Sequence, residues 1–74
     1  RGVIDLAFRE ASGWTIVDYK SDRASESGLS HLIDLYGPQV RGYSHAWSQI
    51  TGEEVVEAGL YFTHLEKYVV VPAD

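Results

Sequence analysis

The sequence predicts an α/β fold, a β-sheet with a flanking helix, on three observations. Residues 2–9 and 14–20 read as two strands joined by a tight turn. Residues 38–50 carry apolar side chains at helical spacing, and residues 55–63 and 68–71 return to strand-like composition. The expected elements are a β-hairpin over 2–20, a loop over 21–33, a helix over 34–51 and a second hairpin over 54–72.

The first hairpin carries the chemistry. In its first strand Ile4, Leu6 and Phe8 share one face, and Val3, Asp5, Ala7 and Arg9 share the other. Glu10-Ala11-Ser12-Gly13 is a turn signal, with glycine available for positive φ. The second strand, Trp14 to Lys20, ends in Asp18-Tyr19-Lys20. Residues two apart on a strand point the same way, so Asp18 and Lys20 share a face. Charges at the end of an apolar strand are costly to desolvate without partners. If Glu10 and Gly13 flank the turn as a pair, Asp5 lies opposite Asp18 and Val3 opposite Lys20. Opposed Cβ atoms sit roughly 4.5–5.5 Å apart, and two carboxylates at that separation repel unless a proton or cation lies between them. A divalent metal resolves the repulsion. A three-residue loop with a glycine bulge would shift the register by one and put the two aspartates on opposite faces. The sequence leaves both registers open. A plain ion-pair cluster of Asp5, Asp18 and Lys20 is the bland reading of the same residues.

Ser21 to Ser30 is polar and serine-rich and reads as a mobile loop bordering the site. Asp34 is read as a helix cap, Pro38 as an early helical position and Gly52 as the stop. Gln39, Tyr43, Ala46 and Ile50 form one expected stripe, which Val40 and Trp47 broaden. His31, His45 and His64 have no ligand spacing to one another and read as surface or partly packed residues. Trp14 and Trp47 read as packing residues.

Composition narrows the function classes. Eleven acidic against six basic residues give a net charge of −5, which argues against simple tracking of nucleic-acid phosphates. It does not argue against a site where metal ions bridge carboxylates and phosphates. With no cysteine there is no disulfide framework, cysteine zinc site or iron–sulfur cluster in these 74 residues. No apolar run approaches a membrane span. The chain has no methionine and opens directly on a strand-like run, so it reads as a piece of a longer protein.

Taken together, Gly2-x-x-Asp5, Asp18-Tyr19-Lys20 and Gln39-x-x-x-Tyr43 resemble the RecB/AddA-type nuclease domain of the PD-(D/E)XK superfamily. The runs VDYKSDR (17–23), LYGPQVRGYSHA (35–46) and AGLYF (58–62) are similar to that branch, and the resemblance covers nearly the whole chain. It implies a truncated restriction-endonuclease-like core with a central mixed β-sheet and one flanking helix. Asp5 and Asp18 would be metal-binding carboxylates, with the Tyr19 carbonyl as a further metal ligand. Lys20 would be the catalytic lysine, with Gln39 and Tyr43 as the helix pair of the active site. The ion would be Mg²⁺, with Mn²⁺ as the alternative. The implied activity is exonuclease V-like DNA cleavage by the C-terminal part of a UvrD/Rep-like helicase–nuclease in double-strand-break repair. Its partners would be DNA, helicase domains of the same parent chain and a partner subunit, in the cytoplasm. The family's upstream helix, with its histidine, and the helicase motors are expected outside this chain. The isolated chain is then expected to be weakly active and to self-associate. A catalytically silent structural or protein-interaction module of a repair helicase is the alternative.

Overall fold

A computed structural model describes residues 5–23 and 25–72. Four strands form one sheet in the order β1 (Leu6–Glu10), β2 (Gly13–Lys20), β3 (Val55–Phe62) and β4 (Lys67–Val70). β1 and β4 run antiparallel to their neighbours, and β2 and β3 are parallel. A parallel pair needs a crossover, supplied here by a short 3₁₀ turn, Glu26–Gly28, and the 23-residue helix α1 (Leu29–Thr51). The result is the expected mixed sheet with one flanking helix.

The first hairpin pairs Glu10 with Gly13, Arg9 with Trp14 and so on to Leu6 with Val17. This is the even register, and the shifted alternative is excluded. Gly13 takes φ 142°, and a Cβ there would lie 2.7 Å from the Glu54 carbonyl oxygen and from Val56 Cγ1. Glycine is therefore required both by the backbone and by the crossing of β3. The pairing expected between Val3 and Lys20 lies outside the described residues.

The core forms between α1 and one face of the sheet. Ile16, Leu60, Phe62 and Val40 are completely buried, and Leu29, Ala58 and Val71 complete the cluster. Burying side chains of this size stabilises by about 1.5–3 kcal/mol each. The opposite face carries Leu6, Phe8, Val17, Tyr19, Tyr61 and Tyr68, several of them well exposed. There Tyr68 lies across Gly59, where any Cβ would collide with its ring. Burial, then a hydrogen bond to Glu57, pushes the Tyr68 phenol up to about 12.

Four helix expectations are corrected. The helix starts at Leu29 rather than residue 34, so residues 26–33 belong to the 3₁₀ turn and the start of the helix instead of the loop. Asp34 is therefore inside the helix and does not cap it, while Pro38 sits in the interior with no N–H for the Asp34 carbonyl. Burial of Leu29 and partial burial of Leu32, Ile33 and Tyr36 compensate for the lost bond. The buried stripe is centred on Leu29, Ile33, Tyr36, Val40 and Trp47; Ala46 is exposed, and Ile50 is 79% exposed. The C-terminal stop holds: Gly52 at φ 70° donates its N–H to the Ser48 carbonyl.

Candidate nuclease site

The site lies where β2 runs out beneath α1. Strand alternation puts Asp18 and Lys20 on the helix-facing side, in line with the buried Ile16. The observed ladder ends at Leu6–Val17, and Asp5 lies directly before β1. In a two-residue hairpin closed at Glu10–Gly13, hydrogen-bonded and non-hydrogen-bonded pairs alternate. Continued by one step, that alternation would set Asp5 opposite Asp18 at a non-hydrogen-bonded position, where opposed side chains come closest. Their carboxylates lie within hydrogen-bond reach of each other, on one face.

The two environments differ. Asp18 is only 4% exposed, whereas Asp5 is exposed. Burial, and then the Asp5 carboxyl, push the Asp18 carboxyl above its ordinary value. Hydrogen bonding to Asp18 and to the Tyr19 amide holds Asp5 below its own. The Tyr19 N–H donates to Asp5 Oδ2 at 2.8 Å. N–H and C=O of one strand residue face the same edge, so the Tyr19 carbonyl faces the Asp5 side. The next carbonyl, of Lys20, faces β3 and accepts from the Thr63 amide and hydroxyl.

Lys20 reaches back over this pair. Its Nζ lies 3.1 Å from Asp18 Oδ2, as an ion pair rather than an aligned hydrogen bond. It donates to Gln39 Oε1 at 3.2 Å, and it sits 4.1 Å from the centre of the Tyr36 ring, within cation–π range. Asp18 Oδ2 is thereby buried with no hydrogen-bond partner. A buried carboxylate oxygen with a free lone pair, a second carboxylate opposite and a strand carbonyl on the same edge are a hard-oxygen donor set. It fits Mg²⁺ or Mn²⁺, which take few protein ligands and keep several waters. Among the described residues no cluster of three or more His, Cys, Asp or Glu forms, so solvent would supply the remaining ligands.

Of the expected site residues, the structure brings Asp5, Asp18, Lys20 and Gln39 together. Tyr43 lies half-buried one turn beyond Gln39 on α1. Tyr36 and Asp22 were not singled out from sequence, yet the Tyr36 hydroxyl donates to Asp22 Oδ2 at 2.9 Å while its ring faces Lys20. Hydrogen bonding to Asp22, then burial, pushes the Tyr36 phenol above its ordinary value. A signal was available, since Tyr36 precedes Gln39 by three residues on the same helix face. His31, His45 and His64 are exposed. Trp14 and Trp47 stack edge-on at 5.1 Å, with Trp14 near the hairpin turn at the other end of β2. There Glu53 accepts from Arg9 and from Trp14 Nε1. Glu26 pairs with Lys67 at 2.8 Å.

Comparison with known proteins agrees with the geometry. Residues 1–73 match the family described as the PD-(D/E)XK nuclease superfamily. The A subunit of the ATP-dependent helicase/nuclease of Carboxydothermus hydrogenoformans is 45% identical over 69 residues, covering 93% of this chain and 6% of that protein. The protein of the same name from Clostridium perfringens strain 13 is 40% identical over 67 residues, covering 90% of this chain and 5% of that protein. In Lachnoclostridium phytofermentans the figures are 38% over 69 residues, 93% and 5%. The chain thus spans 5–6% of the length of these relatives. Among the described residues no helix is long and apolar enough to cross a membrane.

Proposed function

The chain belongs to the PD-(D/E)XK nuclease superfamily, in its RecB/AddA-type branch, and from that premise we propose that it is a Mg²⁺-dependent DNA nuclease module. In this reading it serves a helicase–nuclease that processes double-strand breaks in the cytoplasm with exonuclease V-like cleavage. Its partners are DNA, helicase domains of the same parent chain and a second subunit. The observation that carries the reading is the Asp5–Asp18 pair, with the buried Asp18 Oδ2 in an ion pair with Lys20 but in no aligned hydrogen bond. The relatives are named as the A subunit of an ATP-dependent helicase/nuclease, which supports the wider setting.

Asp5, Asp18 and the Tyr19 carbonyl would hold the ion, Mg²⁺ or alternatively Mn²⁺. When bound, it would supply a more acidic water and a polarised phosphate. Lys20 would orient the attacking water or offset charge on the scissile phosphate. Gln39 restrains the ammonium from the helix side, and Tyr43, one turn on, would serve the same edge of the site. The open apolar face of the sheet favours a second reading, a silent structural or protein-interaction module.

Cleavage of linear double-stranded DNA by the full-length protein, in Mg²⁺ and in chelator, separates the two readings. The nuclease reading expects metal-dependent cleavage. It also expects Asp18→Ala and Lys20→Ala to lower the cleavage rate by roughly 10²–10³-fold, with unwinding retained. Wild-type cleavage by Asp18→Ala would sink it.

A further inference from the structure

A second carboxylate follows Lys20 on its own chain. Asp22 follows it by two residues and is half-buried. An ammonium between two carboxylates is drawn to either, and capture by Asp22 would pull it off Asp18 and out of the cleavage centre. In the structure Lys20 pairs with Asp18 and donates to Gln39, and the Asp22 Oδ2 oxygen is taken by the Tyr36 hydroxyl. The same tyrosine places its ring 4.1 Å from the ammonium. One helix side chain therefore touches both the cation and the carboxylate that competes for it.

We infer that Tyr36 is a positioning residue: its ring backs the Lys20 ammonium against Asp18 and Gln39, while its hydroxyl holds Asp22 away. The inference rests on the nuclease reading of the site. The geometry suits the task, because Tyr36 and Gln39 lie on one face of α1, about one turn apart. A fixed helix thus sets both contacts to a residue at the end of a fixed strand. A tyrosine that merely filled the core would touch Lys20 and Asp22 without any dependence on the charge of Asp22.

That dependence is the test. In the full-length protein with Mg²⁺, kcat and KM are measured for wild type, Tyr36→Phe, Asp22→Asn and the double variant, with thermal midpoints for each. Tyr36→Phe keeps the ring and frees Asp22. It is expected to lower kcat roughly tenfold, with KM changed less than about twofold. With Asp22→Asn as the background, the same substitution is expected to change kcat by less than about twofold, because no charge remains to compete. Tyr36→Leu, which also removes the ring, is expected to lower kcat further in both backgrounds. Equal kcat in Tyr36→Phe and wild type would overturn the inference and leave the nuclease reading standing. So would an equal loss in both backgrounds, which marks a purely structural role. A wild-type protein that cleaves with no divalent ion would sink both. A crystal structure of Tyr36→Phe reads the same point without cleavage. Lys20 Nζ is expected within about 4 Å of the Asp22 carboxylate, and an ammonium still seated on Asp18 and Gln39 alone would contradict the inference.

Discussion

Asp18 holds its carboxyl inside the fold beside another carboxyl, and its protonation answers to both. Burial and Asp5 raise its value in the folded chain above that of the unfolded chain. The stability it contributes is therefore greatest below the ordinary carboxylate range and declines as pH rises through the raised value. Asp5 works the other way: its lowered value contributes stability above the ordinary range, lost as pH falls through it. Asp5 is exposed, so its share is screened and Asp18 dominates. With divalent ions chelated, Asp18→Asn is expected to raise the thermal midpoint near pH 7 by a few degrees, roughly 2–5 °C. The gain should shrink as pH falls to about 4. Melting curves across pH check this; an equal or lower midpoint at pH 7 counts against the buried, ion-free carboxylate described here. Strand period alone puts Asp18 and Lys20 on one face; the sequence left the register that would oppose Asp5 to Asp18 open, and the resemblance singled out all three. The contact of Tyr36 with Asp22 was not legible, because it joins a helix to the chain beyond a strand, and no local spacing announces it.

At the scale of elements, legibility followed local chemistry. The hairpin's strands and turn were legible from the Glu10–Gly13 turn signal, and the structure decides between the two registers left open. The helix stop was legible because Gly52 takes the left-handed conformation that favours glycine. The start was not: Gly28 at the N-cap offers no side chain, the 3₁₀ turn before it is polar, and Pro38 falsely marks a beginning. Tertiary burial of Leu29 outweighs these local signals. The register itself depends on one residue. Gly13→Ala would force a Cβ into the Glu54 carbonyl and Val56 from a strained backbone. It is expected to cost about 1–3 kcal/mol, read as a lower urea midpoint at unchanged m-value. Because Asp5 and Asp18 meet through this register, cleavage by the full-length protein should fall in step. Wild-type stability of Gly13→Ala would show that the turn does not set the pairing.

For the whole molecule, the sheet is covered on one face only among the described residues. α1 lies over the face that carries Asp18 and Lys20; the other presents Leu6, Phe8, Tyr19, Tyr61 and Tyr68 in one apolar tract. Exposed tracts of this kind mark surfaces that meet other protein. The isolated 74-residue chain is therefore expected to self-associate and to cleave DNA weakly. Phe8→Asp, on the edge strand β1 of the open face, should lower the apparent mass in light scattering without reaching the site. A wild-type chain that stays monomeric at about 100 μM would contradict this. The order of hairpin, helix and hairpin was legible because strand and helix periods change along the chain; the mixed sheet was expected from the resemblance, and the parallel pairing of β2 with β3 is read from the structure. An uncovered sheet face was expected only from the family resemblance, which puts a helix upstream of this chain; the strand pattern itself does not show it, since its residues alternate as any half-buried strand does.

The nuclease reading turns on Asp5, Asp18 and the Tyr19 carbonyl converging on one divalent ion. Anomalous diffraction from crystals soaked in Mn²⁺ tests that convergence most directly. A single strong peak is predicted between the two carboxylates, about 2.0–2.3 Å from an oxygen of each and from the Tyr19 carbonyl, and its loss in Asp18→Asn. A peak elsewhere with none at this pair, or one undiminished in Asp18→Asn, would contradict it.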